Sequence, residues 1–118
     1  MLSNIEIPMR FWIDDYRNPY DHVKDWGKNG DVWSKSYEEF LMNLQICLDQ
    51  EKRIEHIYYD YNLGPAETGL DCARLVTSKN WEWALNENTT WSSHSSDPYG
   101  REKIVALMDS WREKRNLI

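Results

Sequence analysis

Three short stretches hold the residues best suited to chemistry. FWIDDYR carries Asp14 and Asp15, with Arg17 close behind; RIEHIYYD ends on Asp60; WSSHSSDPYG carries His94, Ser95 and Ser96 ahead of Pro98 and Gly100. Carboxylates brought to one place repel and need a cation, a proton or an arginine to relieve them. Mg²⁺ is the natural ion, because it takes a few carboxylates, water and a substrate phosphate. Asp14, Asp15 and Asp60 are its candidate ligands, and Arg17 suits a carboxylate or a phosphate oxygen. The plainer alternative is that Asp14 or Asp15 caps a turn, with Arg17 as a surface partner. His94 has the residue type for acid–base work near neutral pH. A helix starting at Pro98 would aim its first amides, around Tyr99 and Gly100, at an anion. Gly100 would also let a ligand approach the backbone. Asp97 is equally a good N-cap, and its own carboxylate would then take those amides. Both readings stand at this point.

These residues need a scaffold that brings them together. Met9–Asp15 reads as a short apolar strand, and the Asn-, Pro-, Asp- and Gly-rich stretch after it as a long loop. Asp31–Ser36 reads as a second strand. Ser36–Glu51 predicts a helix, with a Ser36/Glu39 capping box and Tyr37, Phe40, Leu41, Leu44, Cys47 and Leu48 on one face. Arg53–Asp60 is a β-branched and aromatic strand. A helix from Thr68 to about Asn80 follows, with NWEWALNEN either extending it or forming a loop. Thr89–Ser93 is a weak fourth strand. Pro98–Arg115 is a helix with Ile104, Leu107, Met108 and Trp111 as its stripe. Alternation of this kind predicts a small flavodoxin- or receiver-like three-layer sandwich around a mainly parallel four-stranded sheet, order 2-1-3-4. In such sheets the strand ends around the order reversal form the ligand rim. Asp14, Asp15, Asp60 and His94 would meet there.

Length and composition agree with one domain spanning residues 1–118. A net charge of −6 argues against duplex DNA binding through a basic face, but leaves room for a small phosphate ligand. Cys47 and Cys72 lack metal-ligand spacing and read as buried thiols of a reducing cytosol. The opening MLSNIEIPMRFW lacks the order of a signal peptide, and no apolar run suits a membrane span, so a cytoplasmic protein is expected. Seven Trp in so small a chain cannot all be quiet core. Of Trp26, Trp33, Trp81 and Trp83, at least half are expected to be partly exposed, while Phe40 and Trp111 fit the helix stripes and belong to the core.

FWIDDYRNP, YYDYNLG…TGLDCARLV and HSSDPYGREKIVALM together resemble the cyclic-phosphate-processing receiver-like domains, from Phe11 to Met108. That family is a small relative of response-regulator receivers, associated in bacteria and phages with RNA repair and nucleotide processing. Its pattern is a strand ending Asp-Asp-x-Arg, a second ending Asp-His-Asp-Leu-Gly, and a His-Ser-x-Asn-Pro-x-Gly turn before the last helix. Asp14, Asp15, Arg17, Asp60, Leu63, Gly64, His94, Ser95, Pro98 and Gly100 fall on matching positions. Tyr61, Asn62 and Asp97 depart from it, removing one acid/base and one charged ligand. The resemblance implies binding to, or phosphoesterase action on, 2′,3′-cyclic phosphates of nucleotides or RNA ends. His94 and Asp60 would be catalytic, Asp14, Asp15 and Asp60 would hold Mg²⁺, and Arg17, Ser95, Ser96 and Gly100 would bind substrate. The departures and the Trp excess equally suit a catalytically degenerate binding module, or a small phage-type inhibitor of a host protein. Phosphoacceptor signalling at Asp60 fits less well. Receivers of that kind place a Lys at the end of a fifth strand, and here Lys103 and Lys114 lie on the last helix.

Overall fold

The structure is a computed structural model that describes residues 8–116. Strands β1 (Met9–Ile13), β2 (Asp31–Ser34), β3 (Ile54–Tyr59) and β4 (Thr90–Ser93) are joined by helices α1 (Tyr37–Asp49) and α2 (Gly69–Val76), and α3 (Pro98–Asn116) follows the last strand. The strands form one sheet in the order β2-β1-β3-β4, with every pair parallel. This is a receiver-type, flavodoxin-like α/β fold.

Alternation along the strands divides the residues between two faces. Phe11 and Ile13 of β1 join Ile57 and Tyr59 of β3 in one core, with Phe40, Leu44 and Cys47 of α1, Cys72 and Val76 of α2, and Ile104 and Met108 of α3. All three helices therefore share one face. Arg10, Trp12 and Asp14 point the other way, and the connection between β1 and β2 covers them. Its His22 stacks on Trp12 at 5.6 Å, and its Trp26 meets Tyr58 edge-on at 6.4 Å. The third layer is thus a loop, not a helix. Chain direction explains it: β1 to β2 steps one way across the sheet, while β2 to β3 and β3 to β4 step the other. Right-handed connections running in opposite senses lie on opposite faces.

α1 starts as its sequence predicts. Ser36 Oγ accepts from the Glu39 amide at 3.1 Å, although Glu39 reaches back to the Lys35 amide at 2.8 Å rather than to Ser36. α2 stops at Val76, short of the expected Asn80. The hydroxyl of Thr77 donates to the Ala73 carbonyl at 2.8 Å and that of Ser78 to the Leu75 carbonyl at 2.6 Å. Such bonds compete with the helical ladder and end it. Within NWEWALNEN, Glu82–Ala84 forms a 3₁₀ turn. On α3, Ile104 and Met108 are fully buried, whereas Leu107 and Trp111 sit half-buried at the margin of the core. Trp26, Trp33, Trp81 and Trp83 are all at least partly exposed. Cys47 and Cys72 are buried thiols, and burial pushes Cys47 up to about 11. Among the described residues no helix is long and apolar enough to cross a membrane. Residues 1–7, part of the stretch read for a leader, lie outside the described ones.

Candidate functional site

Sheet register assembles the site. Ile13 pairs with Tyr59, and Tyr59 with Ser93. The next residue on each strand is Asp14, Asp60 and His94. The ladder continues through them: the Asp14 amide donates to the Ser34 carbonyl at 3.1 Å, the Asp60 amide to Ile13 at 2.9 Å, and the His94 amide to Tyr59 at 2.9 Å. Residues 80 positions apart thereby become neighbours, with His94 Nε2 2.9 Å from Asp14 Oδ2. One donor atom from each of Asp14, Asp60 and His94 lies within 4.8 Å of the other two.

Asp14 is completely buried. Its Oδ1 accepts from the amides of Tyr16 and Arg17 at 2.8 and 2.9 Å, which fixes the turn after β1. Two indoles clamp that turn from below. Trp12 Nε1–H donates to the Arg17 carbonyl at 2.8 Å, and Trp33 Nε1–H to the Asp14 carbonyl at 2.7 Å. Arg17 Nη1 then lies 3.5 Å from Asp14 Oδ2 and 3.8 Å from Asp60 Oδ2. Both distances exceed the roughly 2.7–2.9 Å of a strong charge-assisted bond. The guanidinium leans on two acids without being locked to either.

Asp60 is buried, with Oδ1 accepting from the Tyr61 amide at 2.8 Å. Burial first, then the charge of Asp14, raises its carboxyl above the ordinary range, against the Tyr61 amide, His94 and Arg17. His94 lies flat on Trp12, ring centroids 4.0 Å apart and planes within 3°. Burial lowers its pKa, and the bond to Asp14 pulls back in the other direction. Its Nδ1 is buried with no hydrogen-bond partner. Nε2 is consequently the ring nitrogen that serves the site, and a neutral imidazole donating from Nε2 to Asp14 accounts for the contact without a second, unpaired N–H.

The rest of the predicted constellation stands differently. Asp15 is exposed and outside the Asp14–Asp60–His94 group, because the backbone turns away where Asp14 anchors it. Ser95 is buried, its hydroxyl accepts from the Asp97 amide at 3.1 Å, and its carbonyl accepts from Arg101 at 2.7 Å. Ser96 is exposed on the rim. At the start of α3 the self-capping alternative is the one seen. Asp97 Oδ1 accepts from the amides of Tyr99 at 3.0 Å and Gly100 at 3.2 Å, so the helix caps itself. Gly100 serves packing: a Cβ there would run into the Tyr61 ring. Gly69 does the same under the site, where a Cβ would strike the Asp60 carbonyl oxygen. Trp12 and Trp33, which hold His94 and the Asp14 turn, escaped sequence reasoning. The visible signal for Trp12 is Arg10–Trp12–Asp14, a period-two face carrying a cation, a ring and an acid.

The profile of the cyclic-phosphate processing receiver domain matches residues 9–110. The chain belongs to that family. No curated protein and no solved structure matches it.

Proposed function

We propose that this cyclic-phosphate processing receiver domain binds the 2′,3′-cyclic phosphate of a nucleotide or RNA end at the rim formed by Asp14, Asp60, His94 and Arg17, and opens the ring by hydrolysis. The observation that carries the reading is the shared guanidinium. Two buried carboxyl groups lean on one loosely held arginine, an arrangement that costs stability and has no packing role. In the reaction, water attacks phosphorus and one ring P–O bond breaks. The water loses a proton and the leaving oxygen gains one. Asp60 Oδ2 is the group placed to take the water's proton and to return one to the leaving oxygen, while the His94 Nε2–H, held by Asp14, lines the rim as a hydrogen-bond donor. Asp14 holds the imidazole in orientation, and Trp12 fixes its plane. Arg17 swings from the acids to the phosphate, which its partial exposure allows.

Asp14 and Asp60 also suit Mg²⁺, which favours one or two carboxylates, waters and substrate phosphate. Their donor oxygens are close enough to share an ion, provided Arg17 moves aside. When bound, the ion would offset the charge of carboxylates and phosphate together. Self-capping by Asp97 supports a second reading. Without free amides at α3, the rim offers few groups specific to a transition state, so a binding module that holds a cyclic nucleotide, or a host protein, without turnover is the alternative.

The test is incubation with 2′,3′-cyclic AMP, with and without Mg²⁺, beside His94→Ala and Asp60→Asn. Each substitution is expected to cost about 100-fold or more in rate. Absence of turnover above background, or undiminished turnover in His94→Ala, removes the hydrolytic reading; saturable binding without turnover supports the second.

A further inference from the structure

Four tyrosine and tryptophan rings of the described residues are exposed, and three have work within the fold. Tyr20, 65% exposed, packs its ring on Gly27, which a Cβ there would crowd. Trp83, 37% exposed, lies under the Arg53 guanidinium at 4.6 Å. Tyr99, 59% exposed, meets Tyr61 edge-on at 6.4 Å and carries Lys103 at 5.3 Å over its ring. Tyr16 differs. It is 86% exposed. Among the described residues its ring has no aromatic or cationic neighbour, and its hydroxyl no hydrogen bond.

Its backbone, by contrast, is firmly held. The Tyr16 and Arg17 amides both donate to Asp14 Oδ1, and Trp12 pins the Arg17 carbonyl. An aromatic ring without a packing role therefore stands on a fixed turn, one residue from the guanidinium offered to phosphate. We infer that Tyr16 is a stacking platform for the nucleobase of the ligand whose cyclic phosphate meets Arg17. This rests on the proposed binding site and deepens it: the ligand is a cyclic nucleotide or nucleotide end, recognised by base and phosphate together, and not a bare cyclic phosphate. Adjacent residues, with Cα atoms about 3.8 Å apart, carry the two recognition groups on one anchored turn. Stacking on a single tyrosine tolerates any base, so little discrimination among bases is expected.

The experiment measures dissociation constants for 2′,3′-cyclic AMP and for glycerol 1,2-cyclic phosphate, which has the same ring and no base. The proteins are the full chain, Tyr16→Ala, Tyr16→Phe and Arg17→Ala. Tyr16→Ala should weaken 2′,3′-cyclic AMP about tenfold and leave glycerol 1,2-cyclic phosphate unchanged. Tyr16→Phe should bind both as the parent does, since stacking needs the ring and not the hydroxyl. Arg17→Ala should weaken both ligands. If Tyr16→Ala binds 2′,3′-cyclic AMP as tightly as the parent, the platform is refuted while the phosphate site stands. If the parent binds neither ligand, the phosphate site and the platform fall together.

Discussion

β1 carries two ionic clusters on one face, with Trp12 between them, and they are built on opposite principles. At the start of the strand, Arg10 grips Asp31 with two bonds of 2.7 Å, and Asp31 Oδ2 also accepts from the amides of Gly27 and Lys28 at 2.8 Å. Burial alone would raise the Asp31 carboxyl, but Arg10 and those amides outweigh it and hold the group below its ordinary range. At the end of the strand, Asp14 and Asp60 share Arg17 at 3.5 and 3.8 Å, and one nitrogen of His94 is buried without a partner. The first cluster satisfies its groups and ties the covering loop to the sheet. The second leaves cationic capacity short and the contacts of Arg17 with its two acids long. A chain selected for stability alone would close the second cluster as it closes the first.

The sharpest way to break the contrast is Asp31→Ala. It strands a largely buried guanidinium and frees the loop over Trp12, and should cost about 3 kcal/mol in urea denaturation. A loss as small as that of a surface ion pair would mean that the first cluster is not the scaffold described. Next in size is Gly100→Ala. Its Cβ collides with Tyr61, and overpacking of this kind costs about 1–3 kcal/mol. In combination with Tyr61→Ala the loss should fall well below the sum of the two singles, a coupling read from the double-mutant cycle.

His56 offers a comparison with His94 on the same sheet face. It lies 2.6 Å from the Thr90 hydroxyl and 2.9 Å from that of Ser92, and burial, aided by Arg10, lowers its pKa to about 4. The folded state therefore keeps it neutral where the unfolded chain, titrating near 6.5, takes a proton. Its contribution is present above that value and lost as pH falls toward 4. With solvent screening of a partly open ring, the loss should be about 1 kcal/mol. His56→Gln should flatten that part of the stability–pH curve; an unchanged slope would show that His56 is not its source.

The smallest effect should have the opposite sign. Asp60→Asn keeps the acceptor for the Tyr61 amide and removes an acid that burial and Asp14 disfavour, so it should stabilise the fold by about 0.5 kcal/mol. Because the folded pKa is raised, the gain should shrink as pH falls and wild-type Asp60 takes up its proton. A destabilised Asp60→Asn would place the second cluster with the first, as scaffold.

Much of this architecture is legible before any coordinates. The strand order follows from alternating elements and handed crossovers, and once strands end at Ile13, Tyr59 and Ser93 the juxtaposition of Asp14, Asp60 and His94 follows from parallel register. Local competition between equally plausible bonds is much less legible. Asp97 is both a cap and a neighbour of a would-be anion site, and only the geometry shows its carboxylate on the Tyr99 and Gly100 amides. Asp14 and Asp15 read as a pair, yet the turn that Asp14 anchors after β1 carries the backbone away and leaves Asp15 exposed. The Gly100–Tyr61 contact joins residues with no sequence pattern between them. The loop layer is hidden because a polar, Gly-rich stretch gives no periodic signal, although Arg10 and Asp31 carry its anchor.

Amide chemical shifts followed by NMR during titration with 2′,3′-cyclic AMP would test the contrast most directly, because both clusters report in one spectrum. Saturable shifts are expected for the amides of Tyr16, Arg17, Tyr61 and His94, with those of Gly27, Lys28 and Asp31 unmoved. No shifts at all, or shifts centred on the Arg10–Asp31 cluster, would contradict the contrast.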